Sequence, residues 1–216
     1  MNHRRHRQFV LCTLIGVAFN SFAQTPPPTA PFDAIDWKAT MKRSPTTGLQ
    51  MGTLVVRFER TTLDDVRRAA GVGEIAHQGD AGESVYWLCY TNVGVARIER
   101  VWVMAHGEMG GPERYVTDVS AERLPSGSAT DDCPALPENL KPLSLANRLW
   151  VGASQGRVTS TLGAPSFHKG AWRSYDFQAR EPGNCEGGDV DRSATLLLHF
   201  RNGRVNLLHA GQGTSC

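Results

Sequence analysis

Thr62-Leu-Asp-Asp-Val66-Arg-Arg-Ala-Ala70-Gly71 and Ser154-Gln-Gly-Arg-Val158-Thr-Ser-Thr-Leu162-Gly163 align without a gap, and the fold is read outward from this pair. Each stretch opens on a hydroxyl residue that can accept a hydrogen bond from the first helical turn. Each carries apolar residues four apart and ends on a glycine, which tolerates the backbone of a helix stop. Both predict a short helix, and Gly73 and Pro165 prevent continuation. Two more landmarks recur in the same order: His77-Gln78-Gly79 against His168-Lys169-Gly170, and Trp87-Leu-Cys-Tyr90 against Trp172-Arg-Ser-Tyr175. Three matches at near-constant offset point to an internal duplication.

Both halves continue as strands. Residues 97–105, a turn at Gly110-Gly111-Pro112 and residues 115–119 make the first meander. Residues 195–201, the Asn202-Gly203 turn and residues 205–209 make the second, with Asn-Gly between apolar runs signalling a hairpin. Residues 54–58 also alternate like a strand. The expected fold class is α+β: two tandem helix-plus-antiparallel-meander units over 32–119 and 145–216, joined by a connector at 120–144.

The N-terminus carries its own signal. Basic residues Arg4, Arg5 and Arg7 precede an apolar run over residues 9–19, and small residues stand at Ser21 and Ala23. These are the parts of a secretory signal peptide over 1–23, cleaved after Ala23. The apolar run falls short of the roughly 20 residues that span a bilayer, so no stable membrane insertion is expected. Cys12 follows Phe9-Val10-Leu11 rather than the small residues of a lipid-attachment site, and it belongs to the discarded leader. Without the leader's three arginines, 23 basic residues against 21 acidic ones become a net charge of about −1. No concentrated basic run is visible, which argues against a nucleic-acid partner. A Pro-rich linker, 24–31, follows the cleavage site and is expected to add nothing to a core.

Cys89, Cys133, Cys185 and Cys216 remain, an even count that in an exported chain implies two disulfides with three possible connectivities. No Cys-x-x-Cys pair supports zinc. The preferred pairing is Cys89–Cys133 with Cys185–Cys216, one bridge within each half.

Val151-Gly152, Ser154, Val158, Leu162-Gly163 and Pro165, then Trp172 and Tyr175, then Leu198 through Val205, resemble the BamE/SmpA-type repeat. The same unit occurs in tandem in the β-lactamase-inhibitor-protein fold. The match covers about 145–209, and reaches 54–119 only through the internal repeat. Members of these families are envelope-assembly lipoproteins or secreted inhibitors, so the resemblance implies protein binding rather than chemistry.

Catalytic signals are sparse. Gly152-Ala153-Ser154-Gln155-Gly156 fits the nucleophile elbow of serine hydrolases, but its counterpart Thr62 is flanked by Arg60 and Asp64, and Ser154 reads as a helix N-cap. His106 and Glu108 share a face if extended, yet no third metal ligand is indicated. Gly187-Gly188-Asp189-Val190-Asp191 lacks the rest of a calcium loop and reads as an acidic turn. His77 and His168 read as turn residues. No cofactor is expected.

Strand alternation offers a binding surface instead. Tyr175, Phe177, Leu196, Leu198 and Phe200 share one face, the natural core, while Trp172, Leu197 and His199 point the other way and Trp87 points with Trp172. Trp87, Trp172, Leu197 and His199 are therefore the expected partner-binding residues, with packing between the halves as the competing role for the tryptophans. The expected function is an exported, non-catalytic protein-binding protein. The alternative is a small envelope hydrolase using Ser154 or a metal at His106/Glu108.

Overall fold

The computed structural model describes residues 24–29, 38–94, 97–125, 127–128, 132–183 and 185–216, except for the side chains of Glu108 and Met109. The expected leader, 1–23, and its cleavage site at Ala23 lie outside the described residues, as do residues 30 and 31 of the expected linker.

Helix α1, Leu63–Ala70, forms where the first quoted stretch predicts it. The Thr62 hydroxyl accepts from the Asp65 amide at 3.1 Å, and the Asp65 carboxylate accepts from the Thr62 amide at 3.2 Å. These reciprocal bonds satisfy two amides that the helix itself leaves open. Gly71 closes the helix at φ 67°, and Leu63, Val66 and Ala70 face the core. Helix α2, Gln155–Leu162, begins on Ser154, whose Oγ accepts from the Arg157 amide at 3.2 Å. Only Val158 of this helix is buried.

Most of the remaining structure is β. Strands β1, Gly48–Met51, and β2, Leu54–Arg57, form a hairpin. The next four are β3, Ala76–Gln78, β4, Val85–Gly94, β5, Arg97–His106, and β6, Asp118–Leu124. The last five are β7, Leu143–Leu145, β8, Phe167–Lys169, β9, Trp172–Pro182, β10, Asp189–Arg201, and β11, Arg204–Ser215. Eight of them make one antiparallel sheet in the order β3-β4-β5-β6-β11-β10-β9-β8, and β2-β1-β7 make a second, three-stranded sheet.

This architecture corrects the expected fold class. The described residues are 48% strand and 14% helix, and a large shared sheet replaces the two tandem helix-plus-meander units. The physical reason is the pairing of β6 with β11, from Leu207↔Glu122 to Gly211↔Asp118, which makes the strands of both halves neighbours in one ladder. Residues 118–124, which overlap the expected connector, are thus a central strand. Sequence spacing reports local elements and carries no information about which strand edge meets which.

One face of the large sheet carries the main core. Leu88, Tyr90, Val101, Val103, Val119, Leu196, Leu198 and Leu208 pack there against Leu63 and Val66 of α1, Val158 of α2, and Leu49, Met51, Val56 and Leu145 of the small sheet. Glu99, 1% exposed, anchors one end of this layer. Its carboxylate accepts from Asn92 Nδ2 at 3.0 Å and Trp150 Nε1 at 3.1 Å, and it pairs with Arg97 at 3.0 Å. A buried carboxylate is tolerated when it is paired and hydrogen-bonded in this way.

Two disulfides are present, Cys89–Cys133 and Cys185–Cys216. Among the described residues, no helix is long and apolar enough to cross a membrane.

Because Thr62 is capped reciprocally and Ser154 singly, Thr62→Ala is expected to lower unfolding free energy by about 1 kcal/mol and Ser154→Ala by about half that. Urea denaturation monitored by circular dichroism measures both, and equal costs would contradict the difference in capping.

Candidate functional site

Helices α1 and α2 both pack on the first face of the large sheet, and the residues expected to bind a partner fall on the second with unequal exposure. Trp87 is only 4% exposed and packs with Trp102, Met104 and the Cys89–Cys133 bridge. Leu197 is fully buried beneath Phe167 and Trp172. Both assignments as exposed contact residues are corrected by this packing: alternation sets the side of a sheet, and chain from elsewhere in the sequence can still cover that side. Trp172 and His199 remain half-buried, with ring centroids 4.6 Å apart, and His199 Nδ1 lies 2.7 Å from Asn206 Oδ1.

Part of the cover comes from an unexpected source. Residues 24–29, read as a linker that adds nothing to a core, dock on this face. The Trp102 indole donates to the Thr25 carbonyl at 2.9 Å, and the Cys89 amide donates to Gln24 Oε1 at 3.2 Å. Pro26, Pro27 and Pro28 then wall a cavity of about 500 Å³ that ends at His106 and His209.

At the centre of the face lies a polar chain that no sequence motif indicated. Asp118 and Ser120 are two apart on β6 and so share a side, and His209 is the cross-strand partner of Ser120. His209 Nε2 lies 3.1 Å from Asp118 Oδ1, and His209 Nδ1 lies 2.9 Å from Ser120 Oγ. A carboxylate only accepts, so Nε2 carries a proton, and in the neutral ring Nδ1 accepts from the serine hydroxyl. His106, with a side chain 47% exposed, stands 3.8 Å from the other Asp118 oxygen. Gly211 makes the arrangement possible: a Cβ there would lie 2.1 Å from Asp118 Oδ1. The missing side chain lets the Asp118 carboxylate lean over β11 towards His209.

Above this chain opens a groove of about 440 Å³, with Gly211 and Gly213 in its floor and His106, Ser193 and Thr195 on its rim. A second buried carboxylate lies beside Thr195. Asp176 accepts from the Ser174 hydroxyl, and from Thr195 Oγ1 at 3.1 Å.

The two carboxylates titrate in opposite directions. Burial pushes Asp118 up, but the hydrogen bond and charge of His209, the charge of His106 and a hydrogen bond from Thr117 outweigh it and hold this carboxyl below the usual range. Burial dominates at Asp176 and raises it against the hydrogen bonds from Ser174 and Thr195.

Ser120, His209 and Asp118 have the residue types and hydrogen-bond polarity of a nucleophile relay, with the two imidazole nitrogens exchanged. Access is what they lack. Ser120 is 1% exposed, and its direct neighbours across the sheet are His209 and Trp102. The groove is lined by Asp118 and His209 but not by Ser120. The geometry therefore positions an imidazole and a carboxylate rigidly and withholds the hydroxyl from an incoming substrate.

The other sequence candidates lie apart from this centre. The Ser154 hydroxyl is engaged in capping α2. The Glu108 side chain, half of the metal pair of the alternative reading, lies outside the described residues. Among the described residues, no group of three or more His, Cys, Asp or Glu side chains is arranged to hold a metal ion. His77 stacks on Tyr86 at 4.3 Å and His168 is exposed on β8. Asp189 pairs with Arg180 at 3.2 Å. No family model, no curated protein and no solved structure matches the chain.

Asp118 binds fewer protons folded than unfolded between its lowered pKa and the unfolded value of about 3.9. Its contribution to stability is present above that window and is lost as pH falls through the folded pKa. Asp176 has the opposite sign: stability falls as pH rises from about 3.9 through its raised value. Asp118→Asn is therefore expected to flatten the acid loss of stability below about pH 4, and Asp176→Asn to flatten the decline above it. Urea titrations at stepped pH test both, and profiles identical to wild type would contradict the assigned shifts.

Proposed function

We propose that this chain is an exported, non-catalytic protein-binding protein that receives its partner on the face of the large sheet opposite α1 and α2. The observation that carries the reading is the state of the central groove. Its rim is exposed at His106 and Ser193, while the one hydroxyl that would act as a nucleophile is sealed below the floor. Trp172 and His199 extend the surface towards β8, and Trp87 and Leu197 support it from beneath. Tryptophan and other large side chains set in a polar surround are the usual anchors of protein interfaces.

Export draws on the basic, apolar and small-residue order of residues 1–23, with cleavage near Ala23, and on the two disulfides, which persist in oxidising compartments. The periplasm or the extracellular medium is the implied location. The resemblance of residues 145–209 to the BamE/SmpA-type repeat, and to the tandem form in β-lactamase-inhibitor proteins, favours an inhibitor, immunity or envelope-assembly role.

A second reading, a small envelope hydrolase, draws on the Ser120–His209–Asp118 chain rather than on Ser154 or a metal at His106/Glu108. The two readings diverge in one experiment. Mature protein, Ser193→Trp, which fills the groove, and Ser120→Ala are compared for partner capture from envelope and culture-fluid extracts, with ester hydrolysis assayed in parallel. The binding reading expects capture by wild type and Ser120→Ala and loss in folded Ser193→Trp, with Ser120→Ala costing about 1 kcal/mol of stability. Ester turnover that falls by several orders of magnitude in Ser120→Ala would establish the hydrolase instead.

A further inference from the structure

Far from the central groove, at the end of the sheet where β6 runs out and β10 turns into β11, the sequence's dispersed arginines meet. Arg123 of β6, Arg201 of β10 and Arg204 of β11 line one open cavity of about 410 Å³, together with Asn202 and Asn206. All three arginines are exposed. Among the described residues none of them forms an ion pair with a carboxylate, whereas Arg67, Arg68, Arg97, Arg100, Arg180 and Arg192 each do. The contact seen for this group is Arg204 Nη1 donating to the Gly152 carbonyl at 2.9 Å.

The placement works against the stability of the hairpin. Asn202 at φ 52° and Gly203 at φ 70° form the tight turn, and this fixes Arg201 and Arg204 as direct cross-strand partners. Like charges directly opposite one another destabilise a strand pair. An acidic residue at either position would relieve the repulsion, and the chain places none there. Arg201 and Arg204, held opposite each other, and Arg123, at the end of the adjoining β6, thus border one opening at this end of the sheet.

We infer that this arginine-lined opening is the contact for an acidic segment of the protein partner, whose carboxylates pair with Arg123, Arg201 and Arg204. This rests on the reading of the chain as a binding protein. Guanidinium groups pair with carboxylates through two parallel hydrogen bonds, and arginine is enriched at interface anchors. Charges spread over three strands match the spread of carboxylates along an extended peptide better than they match one compact anion. Complementary charge of this kind raises the rate of encounter and fixes the register of docking.

The test is a fluorescence-anisotropy titration of a labelled, extended Glu-rich peptide against the intact chain with both disulfides formed. The expected result is saturable binding that weakens steeply with salt and drops roughly tenfold or more in Arg123→Glu/Arg201→Glu. A Lys-rich peptide should bind that variant and not the wild type. Thermal melts are the fold control: Arg201→Glu places an acid opposite Arg204 and should hold or raise Tm. Peptide binding indifferent to the charge reversal overturns the assignment, as does pyrophosphate binding more tightly than the peptide at the same arginines. If the extract captures are also retained by Arg123→Glu/Arg201→Glu, this inference fails and the binding reading stands. If wild type captures nothing from the extracts, the binding reading fails first.

Discussion

The pairing of β6 with β11 is the constraint on which the rest of this molecule depends. It spans Leu207↔Glu122 to Gly211↔Asp118 and is the seam through which eight strands become one sheet. Buried on one side of that seam are Val119 and Ala121 against Leu208 and Ala210. On the other side are Asp118, Ser120 and His209. A slip of one residue would move every side chain of β6 to the opposite face, burying the carboxylate among aliphatic groups and exposing the valine. Apolar burial and the polar chain therefore specify the same register.

Burying ionisable groups carries a desolvation cost, and the fold meets it the same way at three places. Glu99 is surrounded by Asn92, Trp150 and Arg97; Asp118 by His209 and His106; Asp176 by Ser174 and Thr195. Paired partners keep the first two carboxylates acceptable in a poorly solvated setting, while Asp176 has only neutral donors and its pKa rises accordingly. Asp118 further requires that its neighbour on β11 have no Cβ, and Gly211 meets that requirement. The groove, its glycine floor and the relay beneath it thus follow from one strand pairing and one glycine. The proposed recognition role draws on this geometry: rigid polar groups stand around an open rim, and the Ser120 hydroxyl is enclosed.

Much of the local structure was legible in residues. Both helices start on the hydroxyl residues Thr62 and Ser154 that precede them, because a side-chain oxygen at that position satisfies an amide whatever surrounds the helix. The Asn202-Gly203 hairpin was legible for the same reason, since a two-residue turn needs positive φ at both positions. The side of the sheet taken by Trp87 and Leu197 was readable from alternation, but their burial was not. Residues 24–29, whose proline content suggested an extended spacer, also dock on this face, and the Trp102 indole holds that segment in place.

By itself the sequence determined the elements governed by nearest neighbours: capped helices, alternating strands, a tight turn and an even set of cysteines. Each rests on interactions within a few residues, where backbone geometry and side-chain reach leave few alternatives. The tertiary structure decided everything that depends on which strand edges meet. It merged the meanders into one sheet, and it set Asp118 and Ser120 against a histidine 89 residues beyond Ser120. It also gathered Arg123, Arg201 and Arg204 at one end. Such contacts are chosen by the summed burial of whole faces, a quantity no single stretch of the chain contains.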